Sequence, residues 1–141
     1  MLSNRSCPSA TVIPVLAYPD VNRAAAWLAA AFGFSVRLRI GTHHRIQMNV
    51  GDGAIVLREM RPDESMEMLR AGHSVTVRVE DVDAHALHAK THGATISLGP
   101  ETYAYGERQV HILDLAGHPW VFSQTVVDTD PSDWGAVAEH L

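Results

Sequence analysis

The sequence predicts an α+β fold made of two copies of one βαβββ unit, and three observations carry that prediction. A short β-rich run, an aspartate, an amphipathic stretch and a glycine follow one another over Val12–Gly33 and again over His73–Gly93. Three further β-rich runs come after each glycine. Corresponding turns separate the last two runs of each copy, Gly51-Asp52-Gly53 in the first and Asp114-Leu115-Ala116-Gly117 in the second. Repetition of this kind marks a duplicated architecture, and strands that outnumber helices in each copy place it in the α+β class.

Each element has a physical reason. Val75, Val77 and Val79 alternate with Ser74, Thr76 and Arg78, the period of a strand. Asp20 and Asp81 follow their strands directly and are expected to cap helices by accepting from orphan N–H groups. The stretch from Arg23 to Phe32 is rich in alanine and carries Trp27 and Leu28, a helix that packs closely. Gly33 and Gly93 are placed to end the two helices in left-handed backbone. The remaining strands are expected over 34–40, 45–50 and 54–60, then 95–98, 109–113 and 120–124. Gly51-Asp52-Gly53 reads as a tight hairpin with φ > 0 at those positions. Residues 61–72 form the linker between modules 11–60 and 73–125, with a short helix over Glu64–Arg70. Residues 126–141 are a polar tail in which Trp134 docks on the body or on a second subunit.

The 141 residues suit one domain, with 46% apolar and 19% charged residues and a net charge of −5. No Lys/Arg-rich face is visible, so nucleic acid is not an expected partner. No apolar run reaches the roughly 18–20 residues of a membrane span, and the start does not read as a signal peptide. The single cysteine, Cys7, excludes an internal disulfide, a CxxC motif and a cysteine-based zinc site. A reducing, cytoplasmic setting is expected.

Tyr18-Pro19-Asp20 leading to Phe32-Gly33-Phe34, and Val79-Glu80-Asp81-Val82-Asp83 leading to His92-Gly93-Ala94, carry a family likeness. Its most specific part is Tyr105-Gly106-Glu107-Arg108-Gln109 followed by Asp114 to Gln124, with Gly117-His118 before Trp120, Phe122, Ser123 and Gln124. Over residues 11–125 the chain resembles the vicinal-oxygen-chelate superfamily of glyoxalase I, extradiol dioxygenases, fosfomycin-resistance and bleomycin-binding proteins, and within it a glyoxalase-like subgroup of unknown substrate. The resemblance implies that the modules form a half-open barrel whose concave face holds a small molecule, commonly in a homodimer.

Metal-dependent members of that superfamily place His, Gln or Glu on inward strand positions, two per module, so that donors converge on one ion. Carried onto this chain, those positions are Ile13, Leu57, Ser74 and Val121, none of which holds a divalent metal. No metal and no cofactor is therefore expected. His73 and Glu59 are neighbours of Ser74 and Leu57 and are the residues through which a divalent metal would have to be recruited. His85, His88 and His92 recur along one stripe of the second helix, but Val82, Ala86 and Ala89 make the better buried face, so these histidines are expected in solvent. His43-His44 lies in a turn near the cavity mouth, and His118 in the last turn reads as an edge or cap residue.

The same alternation proposes a ligand-binding lining. Ile13, Val15, Ser74, Thr76, Arg78, Pro119, Val121 and Ser123 point inward, and Trp120 and Phe122 face the helices as core. Arg45, Gln47 and Asn49 alternate with Ile46, Met48 and Val50, so the polar set faces either the cavity or water. Tyr103 and Tyr105 precede the Arg108 loop and either close over a ligand or pack at a rim. With Glu59, Arg78 and Arg108 such a cavity suits a small organic molecule with some polar groups. No nucleophile–base pair and no nucleotide loop is legible. The readings are then a binding protein that works without metal chemistry, an atypical lyase, isomerase or dioxygenase, or a domain acting through its dimer surface.

Overall fold

In the computed structural model, which describes residues 1–141, the chain order is β1 (Val15–Tyr18), α1 (Val21–Phe32), β2 (Ser35–Ile40), β3 (Arg45–Val50), β4 (Gly53–Glu59), α2 (Met66–Arg70), β5 (Val75–Arg78), α3 (Val82–Thr91), β6 (Thr95–Thr102), β7 (Glu107–Leu113), β8 (Pro119–Thr125) and a 3₁₀ turn (Pro131–Trp134). Two βαβββ units are thus present. Asp20 and Asp81 both cap as expected, accepting from the N–H of Arg23 and of Ala84 at 3.0 Å. Gly33 closes α1 at φ +78°.

Each unit folds into one four-stranded sheet, ordered β1-β4-β3-β2 and β5-β8-β7-β6. The first strand of each runs parallel to the last, and the other pairs are antiparallel. No strand of one sheet bonds the other, so neither sheet closes. The units meet instead through α1 and α3 and through one shared apolar core. Phe32 sits at its centre, edge-on to Phe34, Trp120 and Phe122 at centroid separations of 4.8–5.6 Å. Such aromatic edges add to the area-driven stabilisation of the core.

Residues paired across strands share a face, so register decides what each sheet buries. Leu16, Ile46 and Leu57 form one row of the first sheet, and all three are buried in the core with α1. The sequence reading that turned Leu57 inward is therefore reversed: it faces the helices, and Glu59, two residues on, lies on that side too. The count from the turn glycine failed by one residue because β4 begins at Gly53 itself, paired with Val50. Only Gly51 in that turn takes a positive φ, +56°; one left-handed residue suffices to reverse the chain. In the second sheet Trp120 and Phe122 face the helices as expected. β6 runs four residues past its predicted end, through Gly99 and Pro100. It is an edge strand, where a proline costs no ladder bond.

The histidine stripe of α3 is split: His88 and His92 are exposed as expected, whereas His85 is half-buried. His85 lies 4.0 Å from the Phe122 ring centroid, and its Nε2 is buried without a partner. His88 Nε2 meets the carbonyl of Ala30 at 2.7 Å, and Trp27 donates to the carbonyl of His92 at 2.8 Å. The reading from α3 alone missed this because α1 covers a second side of the helix. Burial, reinforced by His88, pushes the His85 pKa down to about 4.

His118 is also deeply buried rather than at an edge. Its Nε2 donates to the carbonyl of Ala17 at 2.7 Å, and the turn around it is organised by Asp114. That carboxylate accepts from Tyr18 Oη at 2.5 Å, Trp120 Nε1 at 3.0 Å and the N–H groups of Ala116 and His118. A buried charge with four donors is satisfied, whereas its removal strands all four. Burial first, and Asp114 second, raise the Tyr18 pKa well above its usual value, so the phenol stays protonated and donating.

Two outcomes follow. Asp114→Ala is expected to lower unfolding free energy by about 2–4 kcal/mol in urea titrations, and a loss within experimental error contradicts the role given to it. For His85 the folded pKa lies below the unfolded value near 6.5, so the unfolded chain takes the proton first as pH falls. Its contribution is constant above pH 6.5, is lost between 6.5 and about 4, and changes no further below. His85→Leu should flatten the fall in melting temperature over that window relative to wild type; an unchanged slope contradicts the assignment.

Candidate functional site

The helices cover one face of each sheet, and candidate ligand contacts lie on the other. In the first sheet this opposite face carries Val15, Ala17, Arg45, Gln47, Asn49, Val56 and Arg58, rows fixed by the pairing of Gln47 with Val56 and of Arg45 with Arg58. A bulge at Arg37 between Val36 and Leu38 adds its guanidinium to the same face. The chain's own start covers the part of this face around Gln47. The Gln47 amide donates to the carbonyl of Ser6 at 2.9 Å and accepts from Arg37, which also donates to the carbonyl of Arg5 at 2.9 Å. Pro8 is buried and Gln47 is only 6% exposed. Residues that sequence reading set outside the domain therefore complete it.

The matching face of the second sheet is exposed at Thr76 and Arg78 and partly exposed at Gln109, His111 and Val121, while Ser123 is only 4% exposed. Arg78, Ser123 and Gln109 form one cross-strand row, with Thr76, Val121 and His111 in the next. A chain of hydrogen bonds runs across it. Tyr105 Oη donates to Gln109 Oε1 at 2.9 Å, Gln109 Nε2 donates to Ser123 Oγ at 3.1 Å, and Ser123 Oγ donates to Glu107 at 2.8 Å. The donor order fixes the Gln109 amide, so its side chain is a preset platform rather than a rotor.

The C-terminal tail builds one wall. The N–H groups of Val126 and Val127 both donate to the carbonyl of Gly106. Gly106 has φ +87°, and a Cβ there would stand 2.2 Å from the Val127 carbonyl oxygen, so only glycine lets the tail approach. The 3₁₀ turn then brings Trp134 to 5.3 Å from Tyr105, which also stacks on Tyr103 at 5.4 Å and 3°. Trp134 docks on the body, one of the two places the sequence offered for it.

Of the proposed lining residues, Arg45, Gln47 and Asn49 share the open side of the first sheet, and Arg78 and Tyr105 gather on the second with Tyr103 behind. Glu59 and Arg108 are elsewhere. Glu59 lines a cleft of about 370 Å³ with Asp20, Asn22 and His43 beside the start of α1. Arg108 faces the helices and is paired bidentately with Asp83 of α3, at 2.9 Å on both contacts. Their direction follows from register, which reversed in β4 and which places Arg108 opposite Gln124, a residue bonded to the N–H of Val82. Sequence reasoning missed Glu107, Gln109 and His111. All three alternate with buried Val110 and Ile112, a signal that was present in the sequence; the expected strand began two residues late, at Gln109, and so left out Glu107.

The donor set does not fit a divalent metal of the kind the superfamily uses. With the register corrected, the inward positions of the first sheet are Ile13, Val15, Ala17, Val56 and Arg58, and those of β5 and β8 are Thr76, Arg78, Val121 and Ser123. No three His, Cys, Asp or Glu side chains converge anywhere in the chain. Two of the positions hold guanidinium groups, which repel a cation. His73 is exposed and lies against the His118 ring, 5.4 Å between centroids, while Glu59 lines the cleft beside α1.

Comparison with known proteins agrees with this fold. Residues 11–122 match the model of the Glyoxalase/Bleomycin resistance protein/Dioxygenase superfamily. The crystal structure of TioX from Micromonospora sp. ML1 is 32% identical, with a TM-score of 0.67 over 86% of this chain and 100% of that one. A glyoxalase/bleomycin resistance protein/dioxygenase family enzyme from Burkholderia phytofirmans PsJN shares the fold at 17% identity, TM-score 0.66, over 83% of this chain and 99% of its own. So does the bleomycin-binding protein of bleomycin-producing Streptomyces verticillus, complexed with copper(II)-bleomycin, at 20% identity and TM-score 0.61, over 80% and 93%. No curated protein sequence matches the chain.

Proposed function

The chain belongs to the glyoxalase/bleomycin resistance protein/dioxygenase superfamily, and from that premise we propose that it binds a small organic molecule on the open face of its second sheet without a catalytic metal. The observation that carries this reading is the preset row of Arg78, Ser123 and Gln109, flanked by Tyr105 and Trp134, where a superfamily metal site would need converging imidazoles and carboxylates. A few fixed polar groups beside aromatic walls orient a ligand. The bleomycin-binding relative holds its small molecule as copper(II)-bleomycin, which supports a carrier or sequestering role on this fold.

The protein is further read as a homodimer in a reducing, cytoplasmic setting. Two unclosed sheets with exposed Val15, Ile40 and Leu98 along them support a second copy that walls the open face. The free thiol of Cys7 supports the setting.

A thermal-shift screen of metal-stripped protein against a library of small organic molecules tests the binding reading. At a hundred times its dissociation constant a ligand adds about 2.7 kcal/mol, so hits should raise the melting temperature by several degrees, equally with chelator and with added Ni²⁺, Zn²⁺ or Fe²⁺. The same sample should sediment as two chains. Stoichiometric metal in the purified protein, or stabilisation that appears only with added metal, overturns the metal-free reading; a monomer at micromolar concentration overturns the dimer.

A further inference from the structure

We propose, resting on the small-molecule reading above, that the ligand of the second sheet is a planar aromatic acid: its rings lie on Tyr105 and Trp134 and its carboxylate meets Arg78. Arg78, Ser123 and Gln109 belong to three successive strands, β5, β8 and β7. Strands lie about 4.8 Å apart, so the row is roughly 10 Å long, about the reach of a fused two-ring acid. At the Gln109 end the row continues into the aromatic side chains, because the Tyr105 hydroxyl is bonded to that amide. Tyr105 and Trp134 are 37% and 44% exposed although large and mostly apolar. Their rings are held at 5.3 Å and 54° by the pinned tail rather than by burial, which leaves aromatic surface for a flat partner.

The distribution of charge selects an acid over a base. The chain as a whole carries −5, and the face of the second sheet holds Arg78 against Glu101 and Glu107, so the selection rests on which of these charges is free rather than on their sum. The structure contains two ion pairs, Arg58–Glu64 and Arg108–Asp83, so Arg78 has no carboxylate within 4.0 Å. On the same sheet face Glu107 accepts from Ser123 and Glu101 from Tyr103 at 3.4 Å, and Asp52 lines a cleft with Arg78 without coming within 4.0 Å of it. An exposed, unpaired guanidinium at the end of a polar row matches a carboxylate with two parallel hydrogen bonds. A cationic ligand in the same place meets that charge unscreened.

Calorimetric titration with 2-naphthoate and with its neutral isostere 2-naphthamide tests the proposal. Wild type should bind the acid more tightly than the amide, a comparison that needs no substitution. Arg78→Gln should weaken the acid by roughly tenfold or more and leave the amide unchanged, and the exposed position should leave the melting temperature unchanged. Trp134→Ala should weaken both. Failure of naphthoate to bind, equal binding of acid and amide, or equal binding of naphthoate to Arg78→Gln overturns the aromatic acid. The broader reading then still stands if other library compounds stabilise the metal-stripped protein, and falls only if none does.

Discussion

One buried carboxylate sets how the two halves of this protein face each other. Asp114 lies in the last turn of the second module, yet its strongest partner is the hydroxyl of Tyr18 at the end of the first strand of the first module. His118, from the same turn, bonds the carbonyl of Ala17 one residue earlier. These two contacts join residues about a hundred positions apart, and they do so beside the Phe32 cluster where α1 meets α3. A carboxylate can be buried there only because four donors surround it. With that corner fixed, the helices share one core and both sheets are obliged to turn their other faces outward. Where a ligand can bind is therefore a consequence of how the turn is tied.

The two outward faces have then been put to different uses despite their common topology. In the first module Gln47 spends both ends of its amide on Arg37 and on the backbone of Ser6, and the N-terminal residues cover that part of the face. In the second module the equivalent surface is left open, and the C-terminal tail contributes Trp134 to its rim instead of lying across it. The difference rests on small local devices. The bulge at Arg37 aims a guanidinium at the N-terminal carbonyls, and the absence of a side chain at Gly106 lets the tail run alongside without filling the face.

Much of this was legible in the sequence because it depends on local chemistry. Aspartates after strands became caps, alternating valines became β5, and Trp120 with Phe122 fell into the core. The ending from Tyr105 to Gln124 pointed to the right superfamily. What could not be read was anything that turned on a single residue of register or on contacts between distant segments. Leu57 and Glu59 were assigned to the wrong side because the hairpin at Gly51 is one residue tighter than the pattern suggested. His85 and His118 looked superficial because part of what covers them, Phe32 beside His85 and Ala17 and Tyr18 beside His118, belongs to the other module. Arg108 looked available because its partner, Asp83, is on a helix that the sequence alone does not bring near β7. The covering of Gln47 by Ser6 has no periodic signal at all.

The most direct measurement is amide chemical-shift mapping of metal-stripped protein titrated with the best stabiliser from a small-molecule screen. Binding on the open face of the second sheet predicts that the perturbed amides cluster over residues 76–78, 105–111 and 121–123 with the Trp134 indole, while the row around Gln47 stays still. Perturbations confined to the cleft formed by Asp20, Asn22, His43 and Glu59, or shifts that appear only when a divalent metal is added, would contradict it.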